Sequence, residues 1–464
     1  MLLSGDPVDS LAAYRDRGGF EGYAAARALG PVGVIDELAA SGLRGRGGAG
    51  FPVGTKWRSV AAGGAGVGDR FVVANGAEGE PGTFKDRAVL RHNPFPLIEG
   101  LLIAAHAMGA ERAFVALKSS FEIEARRIAA AADEIAAAGL AEGVSIELVR
   151  GPDEYLFGEE KALLEVIEGE DPLPRLFPPY IYGLFTTDPQ VGWSAGSTLE
   201  GPGRSGSNPT LVNNIETLSA VPSIIARGSD WYRSTGTSES PGTIVCTVSG
   251  DTTRHGVGEF EMGTPLGAVI EQLGGGLPEG RAVKYVLSGV SNPVVRGDHL
   301  DTPLTYEDME SIGSGLGTGG FIVFDDRTDP VELAYAVSRF LSVESCGQCP
   351  ACKLGTGRIT ELLVEDGPEL DPAALSELAA RLANVTDSAR CFLPSQEQRL
   401  VGSLLPDMRS ADLRRDQRGL LITKIVDLVD GRFVLDQRQQ VKRPDWTYPT
   451  DEPTTPSTEQ NRDR

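Results

Sequence analysis

The sequence predicts an α/β fold in three parts. A doubly wound, Rossmann-like domain spans residues 1–235, a small mixed α+β unit spans 236–328, and a helical bundle spans 329–435, with a disordered tail at 436–464. Three observations carry this reading. Short apolar runs alternate with helical segments between residues 70 and 149, the pattern of a parallel sheet with crossover helices. Between Gly242 and Asp326 the segments become short and turn-bounded. From Asp329 onward the apolar spacing is helical, with short breaks that suit antiparallel neighbours.

Residues 8–40 read as short helices, with Val34 to Ala40 as the last turns. They lead into SGLRGRGGAGFPVGTKW, Ser41 to Trp57, where six glycines stand beside Arg44, Arg46 and Lys56. Glycine lets backbone N–H groups approach an anion closely, and Arg and Lys add charge-assisted hydrogen bonds to phosphate. Such a loop can hold the phosphate of a nucleotide or flavin, although a flexible surface loop is the plain alternative and the spacing matches neither a P-loop nor G-x-G-x-x-G. Arg70 to Ala74 is a strand that runs into the polar, turn-rich NGAEGEPGTFKDR, residues 75–87. In open α/β sheets ligands bind at such strand ends. Pro96 to Met108 reads as an apolar helix, Ala113 to Leu117 as a strand, Phe121 to Leu140 as a helix and Val144 to Val149 as a strand.

Tyr155 to Gly169 opens a helix with Glu159 and Glu160 in its first turn, where carboxylates suit the helix dipole. A Pro-rich connector follows, and then a polar, Gly-rich excursion at 186–207. Residues 211–225 place Asn213 and Asn214 before an apolar helix, as caps. The middle unit offers TIVCTVSG, VGEFEMG, AVKYVLSG and GFIVFDD as strands and Pro265 to Leu273 as a helix. The bundle is read as Pro330 to Ser342, Thr356 to Val364, Pro372 to Asn384, Gln396 to Leu405 and Asp416 to Val429.

With 43 basic against 65 acidic residues the net charge is −22, which argues against nucleic acid or an anionic membrane surface as a partner. No run of about 20 apolar residues is present for membrane insertion, and the N-terminus lacks the pattern of a secretion signal, so a cytoplasmic protein is expected. The charged glycine loop then reads as a specific anion site. In a reducing compartment, close-set cysteines point to metal or redox chemistry. Cys346, Cys349 and Cys352 recur every third residue and Cys391 follows at a distance, while Cys246 stands alone in an apolar strand as a small hydrophobe. Three thiolates at this spacing plus a remote fourth suit a [4Fe–4S] cluster. Zinc also binds four cysteines, but usually through two separated pairs.

Taken together, these residues resemble the flavoprotein (F) component of NADH:quinone oxidoreductase, respiratory complex I, a family that includes diaphorase subunits of NAD-linked hydrogenases. The likeness covers residues 35–405. It rests on the Ser41–Trp57 loop, the 75–87 run, Tyr155 to Leu163, PRLFPP at 174–179, VNNIET at 212–217, the middle motifs LDTPLTYE and GSGLGTGG, and the four cysteines. The resemblance implies an FMN domain, a β-grasp (SLBB-type) middle domain and a [4Fe–4S] bundle. It implies FMN on the loop of Gly45, Arg46, Gly47 and Gly48, with Lys56 near its phosphate. It further implies flavin contacts from Asn75, Gly158, Glu159, Asn213 and Asn214, and a dinucleotide stacked on Phe51. Glu78, Glu80, Tyr155 and Glu160 would line the flavin and nicotinamide pocket, with Glu80 and Glu160 at the reacting end. NADH would deliver hydride to the flavin, and the cluster would pass single electrons to a small [2Fe–2S] subunit and a larger iron–sulfur subunit.

The chain departs from that pattern at Ala77, where a carboxylate is usual, at Ser59, at Tyr180 and at Phe177, where a lysine is usual. A cation missing at Phe177 would weaken dinucleotide binding by about 1–3 kcal/mol if that contact is charge-assisted. Two other readings follow: a flavin–cluster relay fed by another donor, and a non-catalytic docking subunit.

Overall fold

A computed structural model describes residues 1–63, 68–186, 207–365, 371–408, 425–429 and 432–436. The apolar run after Arg70 forms strand β1 (Phe71–Gly76), which lies inside a four-stranded parallel sheet. Its neighbours are β2 (Arg112–Lys118) on one side and β4 (Thr210–Asn214) on the other, with β3 (Ser145–Gly151) outside β2. Alternation along β1 sends Val72 and Ala74 to one face and Phe71 and Val73 to the other.

The first face packs against α2 (Glu21–Ser41), α3 (Val53–Gly63), α5 (Phe95–Met108) and α8 (Ile215–Arg227). The second packs against α7 (Glu160–Ile167). Helix α5 is apolar nearly all round because it is buried between neighbours, as its composition predicts. The short α1 (Leu11–Asp16) starts at Ser10, whose Oγ accepts from Ala13 N at 3.2 Å. Helices α4 (Lys85–His92), α6 (Glu122–Ala137) and α9 (Ser229–Arg233) complete this part.

Strand β4 is not expected from the sequence, where residues 211–214 read only as the approach to a helix. Its five residues pair in parallel with β1, bringing Asn214 beside Asn75. The excursion expected at 186–207 lies almost wholly outside the described residues, as does the disordered tail expected at 436–464.

The middle part is a five-stranded mixed sheet in the order β6-β5-β9-β7-β8. Its strands are β5 (Thr243–Gly250), β6 (Gly256–Glu261), β7 (Val283–Ser288), β8 (Val295–Arg296) and β9 (Gly320–Asp325). Helix α10 (Leu266–Gly274) covers one face and α11 (Tyr306–Ser311) precedes β9. Cys246 is fully buried there, and burial pushes its thiol up, in keeping with a small apolar filler.

Four helices follow: α12 (Pro330–Glu344), α13 (Pro350–Glu365), α14 (Pro372–Asn384) and α15 (Leu393–Met408). Their core holds Val337, Leu341, Ile359, Leu378, Leu400 and Leu404. The fifth helix expected at 416–429 is not formed where the chain is described. Ile425–Val429 is a strand (β10) paired antiparallel with β11 (Arg432–Asp436). The reason lies in the sequence: β-branched and aromatic residues flank Asp430-Gly431, a two-residue hairpin signal.

One side chain ties the glycine loop to the middle sheet. Arg46 reaches back from the loop, donating to Tyr306 Oη at 3.0 Å, Tyr232 Oη at 3.2 Å and the Thr243 carbonyl at 2.8 Å, with Glu216 at 4.0 Å. It is almost fully buried. Arg46→Ala therefore breaks a buried charge cluster, and a stability loss of about 3 kcal/mol is expected as a lowered urea midpoint. An unchanged midpoint would show that the loop is held by other contacts.

Candidate flavin and iron–sulfur site

A cleft of about 780 Å³ opens at the C-terminal ends of β1 and β4. Chain order reverses between these two strands, since β1 continues outward to β2 and β3 and the chain then returns to β4 on the opposite side. Splayed loops at such a switch point leave a crevice, and the volume falls within the range of about 300–1,000 Å³ common for ligand sites. Gly45, Gly47 and Gly48 form part of one wall. A Cβ on Gly47 would meet Asn214 Cβ at 3.3 Å, and Gly48 has φ +116°, so bare backbone faces the cleft here. Gly158, opposite, would place a Cβ 3.0 Å from the Ala77 carbonyl.

Polar groups around this cradle hold one another in place. Asn75 Nδ2 donates to the Gly158 carbonyl at 2.8 Å and Trp57 Nε1 donates to Asn213 Oδ1 at 2.8 Å. Asn214 caps α8, its Oδ1 accepting from Glu216 N at 3.0 Å, while its Nδ2 donates to Asp86 Oδ2 at 2.6 Å. Lys85 lies beneath, with Nζ 2.7 Å from Asp86 and 2.9 Å from Glu216. Burial alone would discharge this lysine, but the two carboxylates hold its ammonium charged. Glu78 is buried, and burial together with nearby Asp86 raises its carboxyl above the usual range.

A hydrogen-bond network drawn from all three parts of the chain forms another stretch of the cleft wall. Glu80 accepts from Tyr155 Oη at 2.6 Å, Val290 N at 2.7 Å and Ser291 Oγ at 2.9 Å. Gln396 of α15 donates to Tyr155 Oη at 2.5 Å and Ser291 Oγ at 2.8 Å. Glu160 pairs with Lys56 at 2.8 Å. Glu159 caps α7 through Lys161 N and Ala162 N, and burial pushes its carboxyl up to about 7, with Lys161 opposing and Glu160 adding to the rise.

Cys391 lines the same cleft, which brings the cysteine site to its wall. Cys349 and Cys352 are buried and Cys346 and Cys391 half-buried. Cys352 stands in the first turn of α13, because that helix starts at Pro350, earlier than the apolar spacing suggests. Ser345 Oγ lies 3.2 Å from Cys352 Sγ, and Arg390 N donates to Cys349 Sγ at 3.4 Å. Burial pushes the Cys352 thiol up to about 11 and Cys391 up to about 12, with neighbouring cysteines adding to both. A metal centre binds cysteines as thiolates, so its charge would offset the burial that Cys352 and Cys391 meet here. Among the described residues no group of three His, Cys, Asp or Glu side chains is drawn together around one point.

Residues 38–223 match the Nuo51 FMN-binding domain, and residues 332–411 match the NADH-ubiquinone oxidoreductase-F iron-sulfur binding region. The second of two NADH-quinone oxidoreductase F subunits of Rhizobium meliloti (strain 1021) is 37% identical over 399 residues, covering 82% of this chain and 89% of the relative. The chain belongs to the family of NADH-quinone oxidoreductase F subunits. The F subunit of Mycobacterium tuberculosis (strain ATCC 25618 / H37Rv) is 38% identical over 360 residues, 75% of this chain and 77% of that protein. A solved NAD+-reducing [NiFe]-hydrogenase in the H2-reduced state superposes with a TM-score of 0.73 at 32% identity, covering 88% of this chain and 69% of that one.

As a member of this family, the chain brings most of the residues singled out in its sequence to one cleft. Gly45, Gly47, Gly48, Phe51, Lys56, Asn75, Glu78, Glu80, Tyr155, Gly158, Glu159, Glu160, Asn213 and Asn214 all line it. Arg46 is the exception. Its guanidinium turns away into the buried contact with β5, and Arg44 lines the cleft in its place. Phe177 is likewise outside, its ring tilted against Tyr182 with centroids 4.8 Å apart. Sequence reasoning misses Lys85, Asp86, Ser291, Gln396 and Arg399. Lys85 and Asp86 carry a signal, as adjacent opposite charges closing the 75–87 run; the others come from elements distant in sequence and carry none.

Glu397, buried in α15, has neither carboxylate oxygen hydrogen-bonded among the described residues, while nearby Ser338 meets Thr360 Oγ1 at 2.8 Å. Burial pushes its carboxyl up to about 8, with Ser338 opposing. The folded chain thus keeps a proton that the unfolded chain releases near 4.5. Stability is expected to fall as pH rises from about 4.5 to 8 and to level off above. Glu397→Gln should flatten that slope in urea titrations; an unaltered slope would place the proton elsewhere. Cys349→Ser is expected to remove iron and sulfide while flavin content, measured after native purification, stays at the wild-type level. Loss of both in a folded protein would contradict separate supports for the two groups.

Proposed function

We propose that the chain is the NADH-oxidising flavoprotein subunit of a larger redox assembly, with FMN in the cleft and a [4Fe–4S] cluster on Cys346, Cys349, Cys352 and Cys391. The observation that carries this is the shared wall: Cys391 and the glycine cradle line one cleft. A bound flavin accepts two electrons as hydride and releases them singly. The protein's own task is positioning. Gly45, Gly47, Gly48 and Gly158 present backbone to the flavin, while Asn75, Asn213 and Asn214 fix the loop ends. Lys56 stands near its phosphate, while the buried Lys85 holds Asp86 and Asn214 in place beneath the cradle. Phe51, 53% exposed at the mouth, is the surface for an adenine or nicotinamide ring. Glu80 and Glu160 orient the nicotinamide end. Glu80 is fixed by Tyr155, Val290 and Ser291, so its carboxylate presents a set direction.

The middle sheet with α10 across it is read as the β-grasp (SLBB-type) domain, and the three parts are assigned to 1–235, 236–328 and 329–408. One cluster stores one electron, whereas hydride brings two, so an acceptor subunit with its own cluster is required; a small [2Fe–2S] protein and a larger iron–sulfur subunit fit. Among the described residues no helix is long and apolar enough to cross a membrane, and contact with one would run through those partners.

An anaerobic optical titration with NADH tests the reading. Bleaching of the flavin band near stoichiometric NADH is expected, followed by cluster reduction. A flavin that stays oxidised with NADH and NADPH but bleaches with dithionite would favour the relay fed by another donor, with Ala77 at the cleft wall as the altered group.

A further inference from the structure

Arg399 of α15 and Phe392, the residue after Cys391, both line the cleft, with the guanidinium carbon 5.0 Å from the ring centroid. Both are exposed, Phe392 by 47%. The other cations lining the cleft are committed. Lys85 is buried between Asp86 and Glu216, Lys56 pairs with Glu160, and Arg44 donates to the Gly50 carbonyl at 2.7 Å with its guanidinium 3.9 Å from the Tyr306 ring centroid. Arg399 alone among them makes no hydrogen bond or ion pair within the described residues; its guanidinium lies over the aromatic face of Phe392.

The cleft is otherwise acidic, lined by Glu78, Glu80, Asp86, Glu159, Glu160 and Glu310. A dinucleotide carries at least two negative charges into that field. It needs a cation that is not already spent, and a guanidinium meets phosphate oxygens with two parallel N–H donors. An aromatic ring beneath the guanidinium limits its rotamers, so less entropy is lost when the anion arrives.

We propose that Arg399 and Phe392 form a phosphate-binding shelf on the cluster side of the cleft, where Arg399 donates to the phosphates of the dinucleotide donor and Phe392 holds its guanidinium in place. This rests on the reading of the cleft as a dinucleotide site. Arg399 is a binding residue and Phe392 a positioning residue. Neither takes part in electron transfer.

Calorimetric titration of the flavin- and cluster-loaded protein tests this with ADP-ribose, which carries the diphosphate without nicotinamide, and with adenosine, which carries no phosphate. Arg399→Ala should weaken ADP-ribose binding about tenfold, as one charge-assisted contact does, and leave adenosine binding unchanged. Arg399→Lys should restore part of the loss, and Phe392→Ala should lose a smaller factor. With 2′-phospho-ADP-ribose as a further probe, an equal loss places the shelf at the diphosphate, and a larger one places it at the 2′-phosphate. ADP-ribose binding that is absent in the wild type, or unchanged in Arg399→Ala with full flavin and iron content, overturns the shelf. Wild-type protein that binds ADP-ribose in this Arg399-dependent way but is not reduced by NADH overturns the donor reading and leaves the shelf standing.

Discussion

Glu216, buried at the start of α8, is the charge on which the site depends. It lies 4.0 Å from Arg46, 2.9 Å from Lys85, and accepts from Val245 N at 2.8 Å. Those three partners belong to the glycine loop, the segment after β1 and strand β5. One carboxylate thus touches three pieces of chain at once, alongside the Arg46 contact with the Thr243 carbonyl and the Thr247 hydroxyl's bond to the Gly82 carbonyl. Burial raises the Glu216 carboxyl above the usual range, and the Lys85 and Arg46 charges beside it oppose that rise. Such a cluster gains little net energy over apolar packing, but removing any member strands the others. What it supplies here is geometry: the backbone of Gly45 to Gly48 is held against Asn214 while no side chain enters the cradle.

The cleft follows from topology before chemistry. A parallel sheet whose order reverses beside its first strand must splay its loops there. The sequence fills that crevice's edges with Asn75, Asn213 and Asn214, short amides that satisfy strand ends and a helix start together. The middle sheet and α15 then close the open side through Glu80, Ser291, Tyr155 and Gln396. The cysteine site abuts the cleft because Cys391 lies just before α15, the same helix that contributes Gln396 and Arg399.

Much of this is legible in the sequence. The β1 to β3 alternation, the mixed middle strands, the Pro372–Asn384 helix and the four cysteines carry local patterns, and the structure shows elements where those patterns lie. The glycine loop is legible as a ligand loop, but the direction of Arg46 is not. Whether an arginine faces a ligand or a buried carboxylate is decided by Glu216, which lies 170 positions later. Strand β4 escapes because five residues directly joined to a helix show no period of their own. The paired strands Ile425–Val429 and Arg432–Asp436 escape because their apolar residues also fit a helical spacing. Ser291, Gln396 and Arg399 are invisible for a simpler reason: their role exists only in contact with residues from other parts of the chain.

That dispersal bears on how the protein is made. The cleft needs Gly45 and Arg399 at once, and at about 5–20 residues per second roughly 20–70 s separate their emergence from the ribosome. During that interval the glycine cradle and the strand ends around it are formed from residues already synthesised, but their fourth wall is not. The cleft therefore has all its walls only after α15 has been made.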